Sequence, residues 1–208
     1  FCANVEYDKL REDVVPGLLL GPTASGWAAL DGMPNLSQNN LNVLKKYLGT
    51  ATSPTGDVST VNGVDIPLGS VAQTLTRHNN ILTAVGSLDY NLRDTDVLRG
   101  RFVTNRWDYQ DYAAQLPQFW IAAPQNYYLA TVTEYHNFSP SVINELRLGF
   151  NRYSQNYPAG PETFPGLSVF PNIYIYDLNL DFGRDDNALQ VTIESTYQAT
   201  DNMNWNKA

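Results

Sequence analysis

Several long runs of this 208-residue chain alternate apolar and polar residues with a period of two. In the clearest run, from Leu82 to Leu92, every second residue is apolar or Gly and most residues between them are polar. Successive side chains of a β-strand point to opposite faces, so this period predicts strands with one apolar and one polar face. The runs cover roughly 11 to 15 residues, longer than soluble strands and long enough to cross a bilayer. Run length therefore favours a transmembrane β-barrel.

The alternation also assigns residues to the two faces of these strands. The predicted lipid face consists of Leu82, Leu88, Leu98, Phe102, Leu146, Leu148 and Phe150. The predicted polar face, which would line a wet lumen, carries Arg99, Arg101, Glu134, Glu145 and Arg147. In the run 126–138, the pattern places Leu129, Thr131, Thr133 and Tyr135 on one face, opposite Glu134 and His136.

The connections between the runs alternate between short turns and long excursions. Short turns are predicted at 93–96 and at Ser139-Pro140, whereas the excursions are rich in Gly, Pro and Asp. Outer-membrane barrels sort their connections in this way, with short periplasmic turns and long extracellular loops. The predicted parts of a single β-barrel domain spanning 1–208 are a strand 5–12, a long extracellular loop 13–77, hairpins 80–107 and 126–154, a loop 155–190, and a strand 191–208.

Local signals predict structure inside the first loop. Ser37 can cap a helix over 38–48, and Gly49 supplies a left-handed stop. The pair Asn62-Gly63 predicts a tight hairpin over 58–66. The fold class is therefore all-β: an antiparallel, long-stranded segment of a transmembrane β-barrel with long loops and one short surface helix.

Composition excludes several classes of function. The net charge of −8 and the sequence pI near 4.6 would repel a phosphate backbone, so no nucleic-acid partner is expected. No stretch approaches the roughly 20 apolar residues of a membrane helix. The single cysteine, Cys2, cannot form an internal disulfide and is expected to be a small residue near a strand start.

No catalytic, cofactor or metal motif is found, so we expect a protein that is not an enzyme. The two histidines, His78 near a loop end and His136 on a strand face, lack the spacing of a helical zinc site. We expect His136 to pair with a neighbouring carboxylate such as that of Glu145. The sequence also lacks a G-x-S-x-G elbow, a P-loop and a dinucleotide fingerprint.

Two sets of side chains leave alternatives open. The first set is Asp181, Asp185 and Asp186, which lie close together in sequence. They would form either an irregular calcium site or a solvated acidic loop. The second set is an aromatic cluster of Trp107, Tyr109, Tyr112, Phe119 and Trp120. These residues would either form an interfacial girdle and pack within loops, which we favour, or form a sugar-stacking surface.

Several segments resemble the barrel of Oar-like TonB-dependent receptors, outer-membrane proteins with an N-terminal carboxypeptidase-regulatory-like domain and a plug. The segments are 88–92 through 98–102, 138–152, 164–167 and 201–205, and 5–12 resembles the strand after the plug. The resemblance implies an outer-membrane location, lipid contact, and uptake or binding of an unknown extracellular nutrient. It also implies coupling to a TonB-type protein through N-terminal regions missing from this barrel fragment, which shows no TonB box.

Two alternatives from other classes remain. A secreted or surface-anchored β-rich adhesion or structural protein would pack its apolar faces together as a sandwich. A β-rich carbohydrate-active enzyme would need a convergent carboxylate pair. Dependence on detergent separates the barrel from the sandwich.

Overall fold

A computed structural model describes residues 1–14, 17–73 and 75–206. Two 3₁₀ turns, Pro117–Phe119 and Tyr176–Leu178, accompany the helices and strands. In chain order, these are β1 (Cys2–Val14), β2 (Leu19–Pro22), α1 (Ala24–Asp31), α2 (Gln38–Leu48), β3 (Ser53–Val61), β4 (Val64–Val71), β5 (Leu75–Arg93), β6 (Asp96–Asp111), β7 (Ile121–Ala122), β8 (Gln125–Ser139), β9 (Val142–Tyr157), β10 (Ile173–Ile175), β11 (Leu180–Phe182) and β12 (Gln190–Trp205).

Six long strands form one antiparallel sheet in the order β1-β5-β6-β8-β9-β12, which we call the long sheet. Strands β5 and β6, and likewise β8 and β9, are joined by two-residue turns at one end of the sheet. The other connections run from the opposite end. The all-β, antiparallel fold and both hairpins are confirmed. Strands β1, β5, β6, β8 and β9 extend beyond their predicted limits, whereas β12 begins one residue early and ends at Trp205, before its predicted end.

The strands extend because β1 and β5 pair along their full length, as far as the Val14–Leu75 pair. The predicted loop 13–77 is therefore too long at both ends. His78, expected near a loop end, lies inside β5 and pairs with Arg11 of β1. Residues 207–208, within the predicted last strand, lie outside the described residues.

The segments 17–73, 112–124 and 158–189 fold together into one unit, which we call the cap. It contains α1, α2, the three-stranded sheet β2-β4-β3, and the small hairpin β10-β11. The buried apolar cluster of the described residues lies wholly within the cap: Leu19, Trp27, Leu30, Met33, Leu41, Val43, Tyr47, Leu48, Ala51, Ile66, Leu68, Val71, Ala114, Leu116, Phe119, Phe170, Leu178, Leu180 and Phe182. The predicted loop 155–190 thus contains two short strands and part of a core.

Helix α2 confirms the prediction over 38–48. The Ser37 hydroxyl accepts a hydrogen bond from the Asn40 backbone N–H at 3.4 Å, and Gly49 ends the helix at φ 78°. Its apolar face is buried in the cap and its polar face is exposed, as expected for a surface helix. None of the helices in the described residues is long and apolar enough to span a membrane.

Helix α1 was not predicted, so the expectation of a single helix is wrong. The Thr23 hydroxyl caps it by accepting from the Gly26 N–H at 3.2 Å. The Trp27 indole N–H reaches the carbonyl of Gly49 at 3.0 Å and so links the two helices. A short helix rich in Ala and Gly carries little periodic signal, and tertiary contacts define it.

The predicted hairpin at Asn62-Gly63 is confirmed and joins β3 to β4. Asn62 and Gly63 have φ values of 50° and 81°, as a two-residue turn with both central residues left-handed requires. The hairpin covers more than 58–66 because β3 and β4 pair as far as Ser53 and Ser70, and β4 also pairs with β2 on its other side.

Helix α1 lies so close to β4 that Gly26 has no room for a side chain. A Cβ built at Gly26 would lie 2.5 Å from the backbone carbonyl oxygen of Pro67, whereas one at Gly32 would have its nearest neighbour at 3.6 Å. We expect Gly26→Ala to destabilise the cap by about 1–3 kcal/mol through overpacking. Faster protease cleavage of the cap on intact cells would show this. Gly32→Ala, at the C-cap of the same helix, should be cleaved at the wild-type rate; equal rates in both variants would contradict the prediction.

Candidate functional site

The register of the long sheet separates an apolar face from a polar face. Directly opposed residues in an antiparallel sheet share a face. The register therefore places two rows of side chains on the apolar face: Gly86, Phe102, Ala130, Phe150 and Tyr197, and next to them Leu88, Gly100, Val132, Leu148 and Ala199. All seven residues of the predicted lipid face lie on this side.

The apolar face is exposed to its surroundings. Leu148 and Val132, on neighbouring inner strands, are each 50% exposed, and Tyr197 on β12 is 78% exposed, on a surface that water would solvate poorly. An exposed apolar surface of this extent marks a site of contact with lipid or protein. A sandwich would have buried these side chains against a second sheet.

The opposite face is polar and charged. Its two central rows are Ser87, Arg101, Thr131, Gly149 and Gln198, and then Asp89, Arg99, Thr133, Arg147 and Thr200. The Arg99 guanidinium lies 3.7 Å from the Asp89 carboxylate and 5.0 Å from the centre of the Tyr135 ring. Arg147 pairs with the carboxylate of Glu145. These contacts place charge on the side that would face a water-filled lumen.

Strand β8 was assigned to the wrong faces. Glu134 lies directly opposite Leu98 and Leu146, so it belongs to the apolar face and not to the predicted polar face. Leu129 and Thr131 belong to the polar face. The hydropathy pattern failed because both faces of this strand mix apolar and polar residues, and only the pairing with β6 and β9 settles which is which.

A cluster of three potential metal ligands lies on the apolar face near the short turns. One ligand atom from each of Asp96, Glu134 and His136 lies within 4.8 Å of the others. His136 Nδ1 contacts the Asp96 carboxylate, so the expected pairing with a neighbouring carboxylate is confirmed, but the partner is Asp96 and not Glu145. Glu145 lies opposite Tyr135, on the other face. Sequence spacing could not reveal this cluster, because Asp96 and His136 are 40 positions apart and meet only through strand pairing.

In the cap, a buried tyrosine joins helix α2 to the segment 158–189. The Tyr47 hydroxyl donates a hydrogen bond to the Glu162 carboxylate, and Lys46 Nζ lies 3.8 Å from the same carboxylate. Burial raises the pKa of the Tyr47 hydroxyl, which keeps it protonated as a donor. The interaction fixes one cap segment against another.

The predicted aromatic cluster divides into separate groups. Phe119 packs in the cap core, 4.5 Å from Phe170 between ring centres, and Trp120 lies 6.0 Å from Tyr112. Trp107 lies opposite Ile81 and Gln125, which places it on the polar face. The loop-packing part of the prediction is therefore confirmed, but Trp107 cannot belong to a lipid-facing girdle.

The acidic residues of the last long connection do not gather into a calcium site. Within the described residues, the carboxylates of Asp181, Asp185 and Asp186 do not form a group of ligand atoms within 4.8 Å of one another. The Asp185 carboxylate accepts a hydrogen bond from the Asn187 N–H at 2.8 Å, as in an ordinary turn. These contacts favour the solvated acidic loop over the irregular calcium site. Cys2 is exposed at the start of β1 and pairs with Ser87.

Comparison with known proteins gives one match. A family model described as outer membrane beta barrel domain matches residues 22–208, which include most of the cap and five of the six strands of the long sheet. No curated protein and no solved structure matches the chain.

Proposed function

Because the chain belongs to the outer membrane beta barrel domain family and therefore resides in the outer membrane, we propose that it binds an extracellular nutrient and takes part in its uptake. In this proposal it works like the Oar-like TonB-dependent receptors that its strands resemble. Its partners would be the outer-membrane bilayer, the nutrient itself, and a TonB-type protein that supplies energy. Nucleic acid has no part in this role.

The folded cap is the observation that carries this proposal. It lies at the end of the long sheet opposite the two-residue turns, and long connections of outer-membrane barrels face the outside. Flexible loops would offer no fixed surface, but the cap has its own buried core. A rigid surface at the mouth of a barrel is suited to select a ligand, because less order is lost on binding.

The polar face supports passage or binding of a polar solute below the cap. Arginine and carboxylate side chains alternate with Thr, Ser and Gln along neighbouring strands. Such a face exchanges hydrogen bonds with a hydrophilic solute as readily as with water. The apolar face meanwhile contacts lipid.

The open edges of the long sheet imply further strands in the complete barrel. Strands β1 and β12 are the edges, and among the described residues they do not pair with each other. Six strands are fewer than the roughly eight of the smallest outer-membrane barrels, and an unpaired edge is costly in lipid. We propose that additional strands pair with both edges in the membrane.

The test compares solute depletion from the medium by cells with and without the protein. Mass spectrometry of a defined nutrient mixture should show one class of polar solute that disappears several-fold faster when the protein is present. A protonophore should abolish this difference if uptake is energy-coupled. Equal depletion of all solutes by both strains would refute the uptake role.

Arg101 gives a sharper prediction on the polar face. It lies between Ser87 and Thr131 in the register, and within the described residues it has no ion-pair partner. We expect Arg101→Gln to slow depletion of an anionic solute about tenfold, since a charge-assisted contact is worth roughly 1.5–3 kcal/mol. The barrel should assemble normally. Thr131→Ser, a neighbour without charge, is the control and should behave as wild type.

We further propose that the protein transports or binds without catalysing a reaction. The transported solute should then be recovered chemically unchanged from the periplasm, and a modified product would contradict this. The alternative of a surface adhesin has less support, because the apolar face stays open where a sandwich would cover it. It would be favoured if cells lost surface attachment, but no solute uptake, on removal of the protein.

A further inference from the structure

We propose that Asp96, Glu134 and His136 form a binding site for a divalent transition-metal ion of the zinc type. The three residues come from adjacent strands, with Asp96 of β6 directly opposite His136 of β8. Glu134 lies two residues before His136 and so on the same face. The site is distinct from the cap and from the polar face.

The geometry is close to that of a zinc site. One ligand atom from each residue lies within 4.8 Å of the other two. With metal–ligand distances of about 2.0–2.2 Å, ligand atoms around a tetrahedral zinc lie roughly 3.3 Å apart. Small side-chain rotations would therefore bring the three groups onto one ion. Three protein ligands would leave the fourth position to water.

The ligand types also select the metal. One imidazole and two carboxylates suit zinc and its first-row neighbours, whereas calcium and magnesium prefer oxygen ligands alone. His136 is already held in place, because its ring packs against Phe138 at 4.2 Å between ring centres. Asp96 in turn accepts a hydrogen bond from the Thr95 hydroxyl at 2.6 Å. Such supporting contacts raise metal affinity by fixing the ligands.

The environment of Glu134 points independently to a cation. Its direct neighbours across the sheet are Leu98 and Leu146, on the face that contacts lipid. Within the described part of the chain, its carboxylate has no hydrogen-bond or ion-pair partner. A carboxylate on a lipid-facing surface is costly unless a partner neutralises it. A bound divalent ion would supply that partner.

The position of the site suggests what the ion does. Asp96 follows the turn between β5 and β6 directly, and only 8% of its surface is exposed. The site therefore lies at the membrane boundary on the side of the short turns, within reach of periplasmic ions. An ion bound there would clamp β6 to β8, and its binding energy would stabilise the folded barrel.

Zinc binding by the protein purified from outer membranes in detergent tests the proposal. Competition with a chromogenic chelator should give one zinc ion per chain. Glu134→Gln and His136→Gln should each weaken this binding by about 10- to 100-fold. Heat-modified gel mobility, measured on every variant, identifies those that remain folded.

The chain offers matched controls for both ligands. His78 is the only other histidine, and Glu145 lies on the polar face of the neighbouring strand. His78→Gln and Glu145→Gln should retain wild-type zinc affinity. With Cu²⁺ as a spectroscopic probe, the nitrogen hyperfine splitting should vanish in His136→Gln and persist in His78→Gln. Absence of stoichiometric zinc in the folded wild type, or equal loss in the controls, would overturn the proposal and leave the Asp96–His136 contact as a hydrogen bond without a metal.

Discussion

Replacing Phe170 with Ala should unfold the cap while leaving the membrane-embedded sheet intact. The Phe170 side chain is 0% exposed, and its ring lies 5.3 Å from Tyr47 and from Phe182 between ring centres. Truncating a buried Phe to Ala costs about 3–5 kcal/mol. A loss of this size exceeds what a small local unit can tolerate. Protease added to intact cells should then cleave the cap many times faster than in wild type.

A matched control lies in the same segment of the cap. Tyr176 is 84% exposed, so Tyr176→Ala removes an aromatic ring of similar size without touching the core. We expect wild-type protease resistance in that variant. Heat-modified gel mobility should be unchanged in both variants, because none of the cap core residues lies in the long sheet. Loss of the heat-modifiable species in Phe170→Ala would contradict the division into cap and sheet.

The same variant separates ligand selection from membrane assembly. If the cap selects the nutrient, Phe170→Ala should abolish the solute depletion attributed to the protein although it still reaches the outer membrane. Unaltered depletion with a digested cap would place selectivity on the polar face instead. In both cases, the rate of solute depletion is compared between variants after division by the amount of assembled barrel.

The long strands could be predicted because each carries its own signal. Alternation of period two over many residues needs no partner to be recognised, and the turns at 93–96 and 139–140 separate the strands. The ends of the strands are harder to predict from sequence. β5 continues back to Leu75 because β1 pairs with it there, and this pairing joins residues 61 positions apart.

The cap could not be predicted from sequence because its core is assembled from three separate segments. Tyr47, Phe119 and Phe170 lie in different connections, and their rings meet at 4.5–5.3 Å between centres. Each segment alone resembles an irregular loop with a few apolar residues. Helix α1 shows the same limit, since its boundaries depend on contact with β4 and α2.

The metal-ligand cluster shows how a face assignment can hide a site. Glu134 and His136 are two residues apart, but their partner Asp96 comes from the preceding strand. The hydropathy pattern of β8 predicts the reverse orientation, with Glu134 in a wet lumen, where a carboxylate needs no partner. The register places it next to leucines, where a bound cation would neutralise its carboxylate.

Placing a charge on the apolar face should be the most disruptive change in the long sheet. Leu148 lies in the central rows, directly opposite Val132 and Ala199. In a lipid bilayer, an arginine near the midplane costs about 2–4 kcal/mol. We expect Leu148→Arg to lower the stability of the assembled barrel by this amount and to reduce its quantity in the outer membrane several-fold. The midpoint of urea unfolding, followed by heat-modified gel mobility, measures the first effect.

The neighbouring polar face provides the comparison for Leu148→Arg. Gln198 is adjacent to Ala199 in β12 but points to the opposite side, where it pairs with Gly149. An arginine there keeps its hydration, so Gln198→Arg should cost less than about 1 kcal/mol, as lumen substitutions do. The two variants carry the same charge at nearly the same depth in the membrane. The difference between their stability losses therefore shows whether each face contacts lipid or water. Similar urea-unfolding midpoints for Leu148→Arg and Gln198→Arg would contradict the prediction. They would mean that protein, and not lipid, covers the apolar face.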